Sequence, residues 1–317
     1  MPHFESALEC GDEWRNTWPM NADVTANSNA LARRTHSPEH VRADLERIAS
    51  QADEAIDLAE AALILASVDH PATDLEVYRD HIKQLHDAVE DAANAAGLDP
   101  DSAAPEDMAD ILSRVIAGEF VYAGDEDTYD DLDNANLMRV IERRKGLPVS
   151  LGILYLSAAR AQGWGAAGLN FPGHFLIRLE SRDGRRAILD PFHGGRLMEA
   201  PQLRELLKVI SGTAVELEAA HYKPVSNRDV LVRLQNNVKT RRLELGESEN
   251  ALDALLCMQM ISPDNPALWR EAGVIQMRLG RLKNAVESFE AFVARAPEGP
   301  DRAKIGAVVQ ELHERIH

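Results

Sequence analysis

The sequence predicts an α+β fold that is mostly helical. Helices come first, a middle section carries a small antiparallel sheet, and helical repeats end the chain. Three observations carry this. Apolar residues recur three and four apart through Leu45, Ile48, Ala52, Ile56, Ala59 and Leu63, as on one face of a helix. Two stretches of alternating polarity, 174–180 and 185–190, flank a turn at Ser181 to Gly184. Near the C-terminus, Gly, Ala, a large apolar residue and Pro recur at one fixed offset.

The chain has 317 residues, long enough for about two domains or three small ones. It divides into a tail (1–36), an N-terminal helical region (37–120), a core (121–222) and a repeat region (223–317). Hydrophobic residues at 45% and charged residues at 27% are ordinary for a globular protein, and aromatics at 5% with abundant Ala and Leu favour helix. A net charge of −18 argues against a nucleic-acid surface, which needs basic groups to neutralise phosphates. It argues equally against docking on an anionic membrane. The charge suits a basic partner, or serves solubility alone.

Cys10 and Cys257 are the only cysteines, so no disulfide framework is implied, and neither has metal-ligand spacing. Cys257 lies in an apolar helical run and reads as a core residue. No apolar run approaches the roughly 20 residues of a membrane span. The N-terminus lacks a basic region followed by an apolar one, so no secretory signal is expected and the cytoplasm is the expected compartment.

In chain order, residues 1–36 show no period and read as a tail, or as an arm packing Trp14 and Trp18. Ser37 and Pro38 then cap and open a helix that is expected to run to about Asp69. Asp74 caps a second helix that closes at Gly97, and 106–117 form a third. The acidic run Asp125 to Asp133 fails as a calcium loop. Tyr129 stands at the third ligand position with no Gly after it, so a solvated acidic loop is expected.

A short helix covers 136–145. Gly146-Leu147-Pro148 then stops one helix and starts another, which is apolar almost all round through Gln162 and should be buried centrally. Gly163 to Gly168 matches G-x-G-x-x-G. It follows a helix and leads into a strand, the wrong context for a dinucleotide, so these glycines are read as the turn from helix to strand. The hairpin 174–190 follows, and 200–210 look helical.

Four residue pairs then lie 34 apart: Gly246 with Gly280, Ala251 with Ala285, Leu255 with Phe289, and Pro263 with Pro297. With Trp269 and Gly273, this spacing resembles the tetratricopeptide helix pair. The last helix, about 301–316, should cap the stack. Two repeats are few for a free-standing solenoid, so the array is expected to lean on what precedes it.

The segments DNANLMRVIERRKGLPVSLGILYL, PGHFLIRL and LDPFHGG resemble the second transglutaminase-like core family. With the flanking helices and repeats, the chain from about residue 40 resembles bacterial SirB-type proteins. The resemblance implies a papain-like core: a nucleophile at a helix start, a His at a strand start and an Asp before Pro. His174 and Asp190 match the last two, but Ser150 stands where the wider superfamily has Cys.

A helix terminus and a His can lower a thiol pKa enough to populate the thiolate, whereas a Ser hydroxyl needs concerted proton removal and a prepared oxyanion hole. Ser150 also reads as an N-cap accepting a backbone N–H. Asn136, Asn170 and His193 are candidates to line a pocket. His174, His193 and Asp190 lack helical i, i+4 spacing and a further ligand, so no metal is expected, and no cofactor. The expected function is non-enzymatic and regulatory: a degenerate core joined to repeats that dock a protein or peptide partner. The alternative is an amide-bond hydrolase or acyl transferase using Ser150, His174 and Asp190.

Overall fold

A computed structural model describes residues 39–316 except 71, 213 and 214. The expected cap at Ser37-Pro38, the tail with Trp14 and Trp18, and Cys10 lie outside the described residues.

The first expected helix is two. Helix α1 spans Glu39–Ser50 and α2 spans Leu58–Ser67, with a 3-10 turn at Asp53–Ala55 between them. The break is chemical. Ile56 is extended, and the Asp57 carboxylate caps α2 by accepting the N–H groups of Ala59 at 2.9 Å and Glu60 at 3.1 Å. Every residue of α2 except Glu60 is buried. The apolar period continues through the break, which is why periodicity alone joined the two.

Helix α3 spans Glu76–Ala95. The Asp74 carboxylate accepts the Glu76 N–H at 3.0 Å, and Gly97 closes the helix at φ +68°. Helix α4 (Pro105–Leu112) widens into π-type turns over Ser113–Glu119. Strand β1 (Ala123–Gly124) then pairs in parallel with β2 (Lys145–Gly146), which flanks the short helix α5 (Leu137–Arg143).

Helix α6 (Pro148–Ala161) has only Ser157, Arg160 and Ala161 outside the buried class. With no polar face to give to water, it must be surrounded. It is packed by α2, α3, α4 and the sheet. Pro148 stands in the first turn, where its missing N–H costs nothing.

The sheet is a four-stranded antiparallel meander: β3 (Gly165–Gly168), β4 (Ile177–Glu180), β5 (Arg186–Asp190) and β6 (Arg196–Leu197). The glycines 165 and 168, expected in a turn, lie in β3 itself. A Cβ on Gly165 would stand 2.7 Å from the Glu180 carbonyl oxygen, and one on Gly168 2.6 Å from the Phe175 ring. Close approach therefore requires glycine there, in a strand with almost no side chains to show alternation. Ile177, Leu179 and Leu189 join the main core on one face. On the other face Ile188 packs in a separate cluster beneath helix α7 (Ala200–Ser211).

Five helices complete the chain: α8 (Asn227–Glu244), α9 (Ser248–Ile261), α10 (Pro266–Arg278), α11 (Leu282–Arg295) and α12 (Pro300–Ile316). The 34-residue period is visible in three dimensions. Gly246 and Gly280 have φ of +77° and +73° at equivalent turns, and Ala251, Ala285, Leu255 and Phe289 are all buried. The array does lean on the rest. Val230, Leu231 and Leu234 of α8, with Cys257 and Ile261 of α9, belong to the same core as α2 and α6. Burial pushes the Cys257 thiol up to about 12, which fits a core residue.

At Gly273 of α10, any Cβ would overlap the Phe289 ring of α11, whereas one at Gly306 of α12 would meet nothing. Gly273→Ala should therefore lower stability by about 1–3 kcal/mol through overpacking. Gly306→Ala should raise it by about 0.5–1 kcal/mol through helix propensity. Urea unfolding of both variants checks the opposite signs.

Candidate functional site: a carboxylate between two imidazoles

His174 does not open a strand. It sits in a turn three residues before β4, after Gly173 at φ +64°, where a side chain on residue 173 would collide with Ile210 of α7. Asp190 is the last residue of β5 and is fully buried. Its Oδ1 lies 2.8 Å from His174 Nε2, and its Oδ2 lies 2.7 Å from His193 Nδ1. The Phe192 N–H donates to Oδ1 at 3.1 Å. The expected His–Asp pair is thus a trio, with His193 as a full member. His174 is 8% exposed and His193's side chain 40%, so the trio reaches the surface through His193.

The Asp-Pro-Phe-His-Gly-Gly sequence builds this locally. Asp190 caps a 3-10 turn over Pro191–His193, which swings His193 back onto the carboxylate. Gly194 and Gly195 follow at φ +68° and +76°. Ser113 Oγ donates to the Gly195 carbonyl at 2.9 Å, and the Gly195 N–H donates to the Asp190 carbonyl at 2.9 Å. Below them lies Tyr155, whose buried hydroxyl has no hydrogen-bond partner among the described residues.

Burial raises the Asp190 pKa, but the hydrogen bonds and charges of His174 and then His193 outweigh it, and the net direction is down. An ionised carboxylate only accepts. His174 therefore donates through Nε2 and His193 through Nδ1, which leaves His174 Nδ1 and His193 Nε2 as the free ring nitrogens. The two rings stack with centroids 6.1 Å apart.

Ser150 is not joined to this group. It is fully buried at the third position of α6, whose N-cap is Leu147. Its Oγ donates to the Asn134 carbonyl at 2.8 Å and shares with the Leu147 carbonyl at 3.1 Å. The cap expectation is corrected in sense: the hydroxyl donates to carbonyls instead of accepting an N–H, and ties α6 to the 3-10 turn Leu132–Ala135. Asn136 is a cap instead, accepting the Arg139 N–H at 3.2 Å while Nδ2 donates to the Ala66 carbonyl at 3.2 Å. Asn170 is exposed, and its backbone N–H donates to the Lys223 carbonyl at 2.9 Å. Neither asparagine bonds Asp190.

The donor atoms of His174, Asp190 and His193 lie within 4.8 Å of one another, so two imidazoles and a carboxylate could face one cation in place of the shared protons. Sequence spacing hid this convergence, because a 3-10 turn brings residues i and i+3 together where a helical ligand pair would be i, i+4.

The acidic run also needs correction. Asp127 is exposed, but Asp125 is buried. Asp125 accepts from Thr128 Oγ1 at 2.7 Å and from the Thr128 N–H at 3.0 Å, and it pairs with Arg143 Nη2 at 2.9 Å. Arg143 Nη1 in turn donates to Asn134 Oδ1 at 3.2 Å, so this network fixes the turn that receives Ser150.

A buried helix start, a His before one strand and an Asp closing the next define a transglutaminase-like core followed by helical repeats. Residues 76–236 match the transglutaminase-like superfamily and 239–310 match the tetratricopeptide repeat, and the chain belongs to the transglutaminase-like superfamily. The UPF0162 protein of Xylella fastidiosa is 29% identical over 277 residues, 85% of this chain and 95% of the relative. The UPF0162 protein of Vibrio cholerae is 29% identical over 271 residues, 83% and 97% of the two chains. Protein SirB1 of Salmonella typhimurium is 26% identical over 225 residues, 68% and 83%. No solved structure gives a significant match.

Burial raises the Asp125 pKa, but the bonds from Thr128 and Asn134 and the Lys145 charge carry it down from 3.8 to about 2. A depressed carboxylate stabilises the fold above its unfolded pKa and loses that contribution as pH falls through its folded one. Asp125→Asn should cost about 1–3 kcal/mol at neutral pH. The gap from wild type should narrow as pH falls from about 4 towards about 2, which urea unfolding across that range would check.

Proposed function

We propose that this protein acts in the cytoplasm as a non-enzymatic, regulatory interaction protein. In this reading the repeat region (223–317) docks a protein or peptide partner, and the core (121–222), set on the helical region 37–120, recognises and does not cut. The observation that carries it is the Ser150 hydroxyl. Its proton goes to the Asn134 and Leu147 carbonyls, and the residue has no exposed surface from which to attack a substrate. A Ser nucleophile needs a base at its proton and a path to the carbonyl carbon, and both are missing from this arrangement. The repeats add a cleft of about 290 Å³ among α9, α10 and α11, with Trp269, Gln276 and Arg281 in its walls. Helical repeats use such surfaces to hold extended partners.

The second reading, an amide-bond hydrolase or acyl transferase, keeps one favourable observation, the 2.8 Å His174–Asp190 contact. A fluorophosphonate probe separates the two. The interaction reading expects no Ser150-dependent labelling, and cross-linking to a partner that Trp269→Ala with Arg281→Ala weakens. Labelling of wild type that Ser150→Ala abolishes would establish the hydrolase instead.

A further inference from the structure

The face of the sheet turned away from α6 carries an arrangement that neither the fold nor the proposed interaction role uses. Arg178 pairs across strands with Ile188, and Glu180 with Arg186, so all four side chains stand on this face. Helix α7 covers one end of it. Between them lies a cavity of about 430 Å³, larger than the repeat cleft. Its walls include Ile188, Leu197 and Leu203 on the apolar side and Arg178, Arg186 and Tyr222 on the polar side.

The polar side has a vacancy in its hydrogen bonding. Arg178 Nη2 is taken by Glu180 at 2.9 Å, and Arg186 Nη2 meets the other oxygen of the same carboxylate at 3.1 Å. Arg178 Nε, by contrast, is buried with no acceptor among the described residues. A buried guanidinium N–H without an acceptor costs free energy unless something supplies one. Glu180 is held below the ordinary carboxylate range, chiefly by Arg186, so it is ionised and balances only one of the two cations. One positive charge is left facing the cavity. The first turn of α7, beginning at Ala200 in the cavity wall, has no side-chain cap and adds its partial positive charge.

From the cavity, the acceptorless N–H and the unbalanced cation together, we infer that this site binds a small organic monocarboxylate with an apolar body. The carboxylate accepts from Arg178 Nε and from Arg186, in the planar geometry that guanidinium groups favour. The apolar body lies against Ile188, Leu197 and Leu203. The exposed Glu106 and Glu199 at the rim repel a second negative charge, so dianions and polyphosphates are disfavoured. The same chemistry is offered by a free aliphatic acid and by the C-terminus of a peptide ending in an apolar residue.

Isothermal titration calorimetry on the full chain tests this with hexanoate, hexanol, inorganic phosphate, and N-acetyl-Ala-Leu as free acid and as amide. Saturable one-to-one binding of hexanoate, with none of hexanol or phosphate, is expected. Arg178→Met and Arg186→Met should each weaken it at least about tenfold. Arg186 is exposed, so its variant keeps the test valid should Arg178→Met fail to fold. Binding of the acetylated dipeptide acid but not its amide assigns the site to peptide C-termini, and binding of hexanoate alone assigns it to free acids. No saturable hexanoate binding, binding equal to that of hexanol or phosphate, or binding unchanged in Arg186→Met would overturn the inference.

Discussion

The burial of α6 on every side is the constraint from which the rest of the structure follows. A helix with no polar stripe cannot lie on a surface, so the N-terminal helices, the sheet and α8 close around it. That enclosure decides what its first turn can do. In a papain-like core the start of this helix is the place for a nucleophile, where the terminus opens to a cleft. Here the start is closed by the turn 132–135, which the Asp125–Arg143–Asn134 network pins, and the Ser150 hydroxyl ties the two together. The same side-chain oxygen that might have been a weak nucleophile is a structural donor.

Asp190 is the second fixed point. A single buried carboxylate accepts from two imidazoles and a backbone N–H, so all three of its partners are held by one group. Such an arrangement satisfies the buried charge without any further group, which is the usual condition for a charge to be buried at all. It also sets the tautomers. In a hydrolytic triad the carboxylate orients a His whose other nitrogen faces the nucleophile. In this protein the second acceptor face of Asp190 holds His193, and the Ser150 proton is directed elsewhere.

Much of this was legible from residue order, and the failures have identifiable physical causes. The repeats were readable because close helix crossing demands Gly and Ala at fixed places, as at Gly273 against Phe289. The central helix was readable because its composition leaves no other option. The break between α1 and α2 was missed because apolar spacing continues across Asp57, whose capping role is visible only once its acceptor geometry is known. Strand β3 was missed because glycine has no side chain to alternate. Asp125 was misplaced because a run of carboxylates looks solvated until one of them finds Arg143 from 18 residues away. In the site, His174 and Asp190 were found from their places beside strands. His193 was placed only as a pocket residue, since its return to Asp190 depends on a 3-10 turn. The shared carbonyl partners of Ser150 lie in a turn that no short-range pattern connects to it.

The central claim is that His174 is governed by Asp190 and not by Ser150. Imidazole ¹⁵N NMR of the folded chain at neutral pH tests it most directly. The account predicts that His174 carries its proton on Nε2 and His193 on Nδ1, that Asp190→Asn shifts both sets of ring nitrogens, and that Ser150→Ala leaves those of His174 where they were. A His174 protonated on Nδ1, or one whose ring nitrogens move with Ser150→Ala, would contradict it.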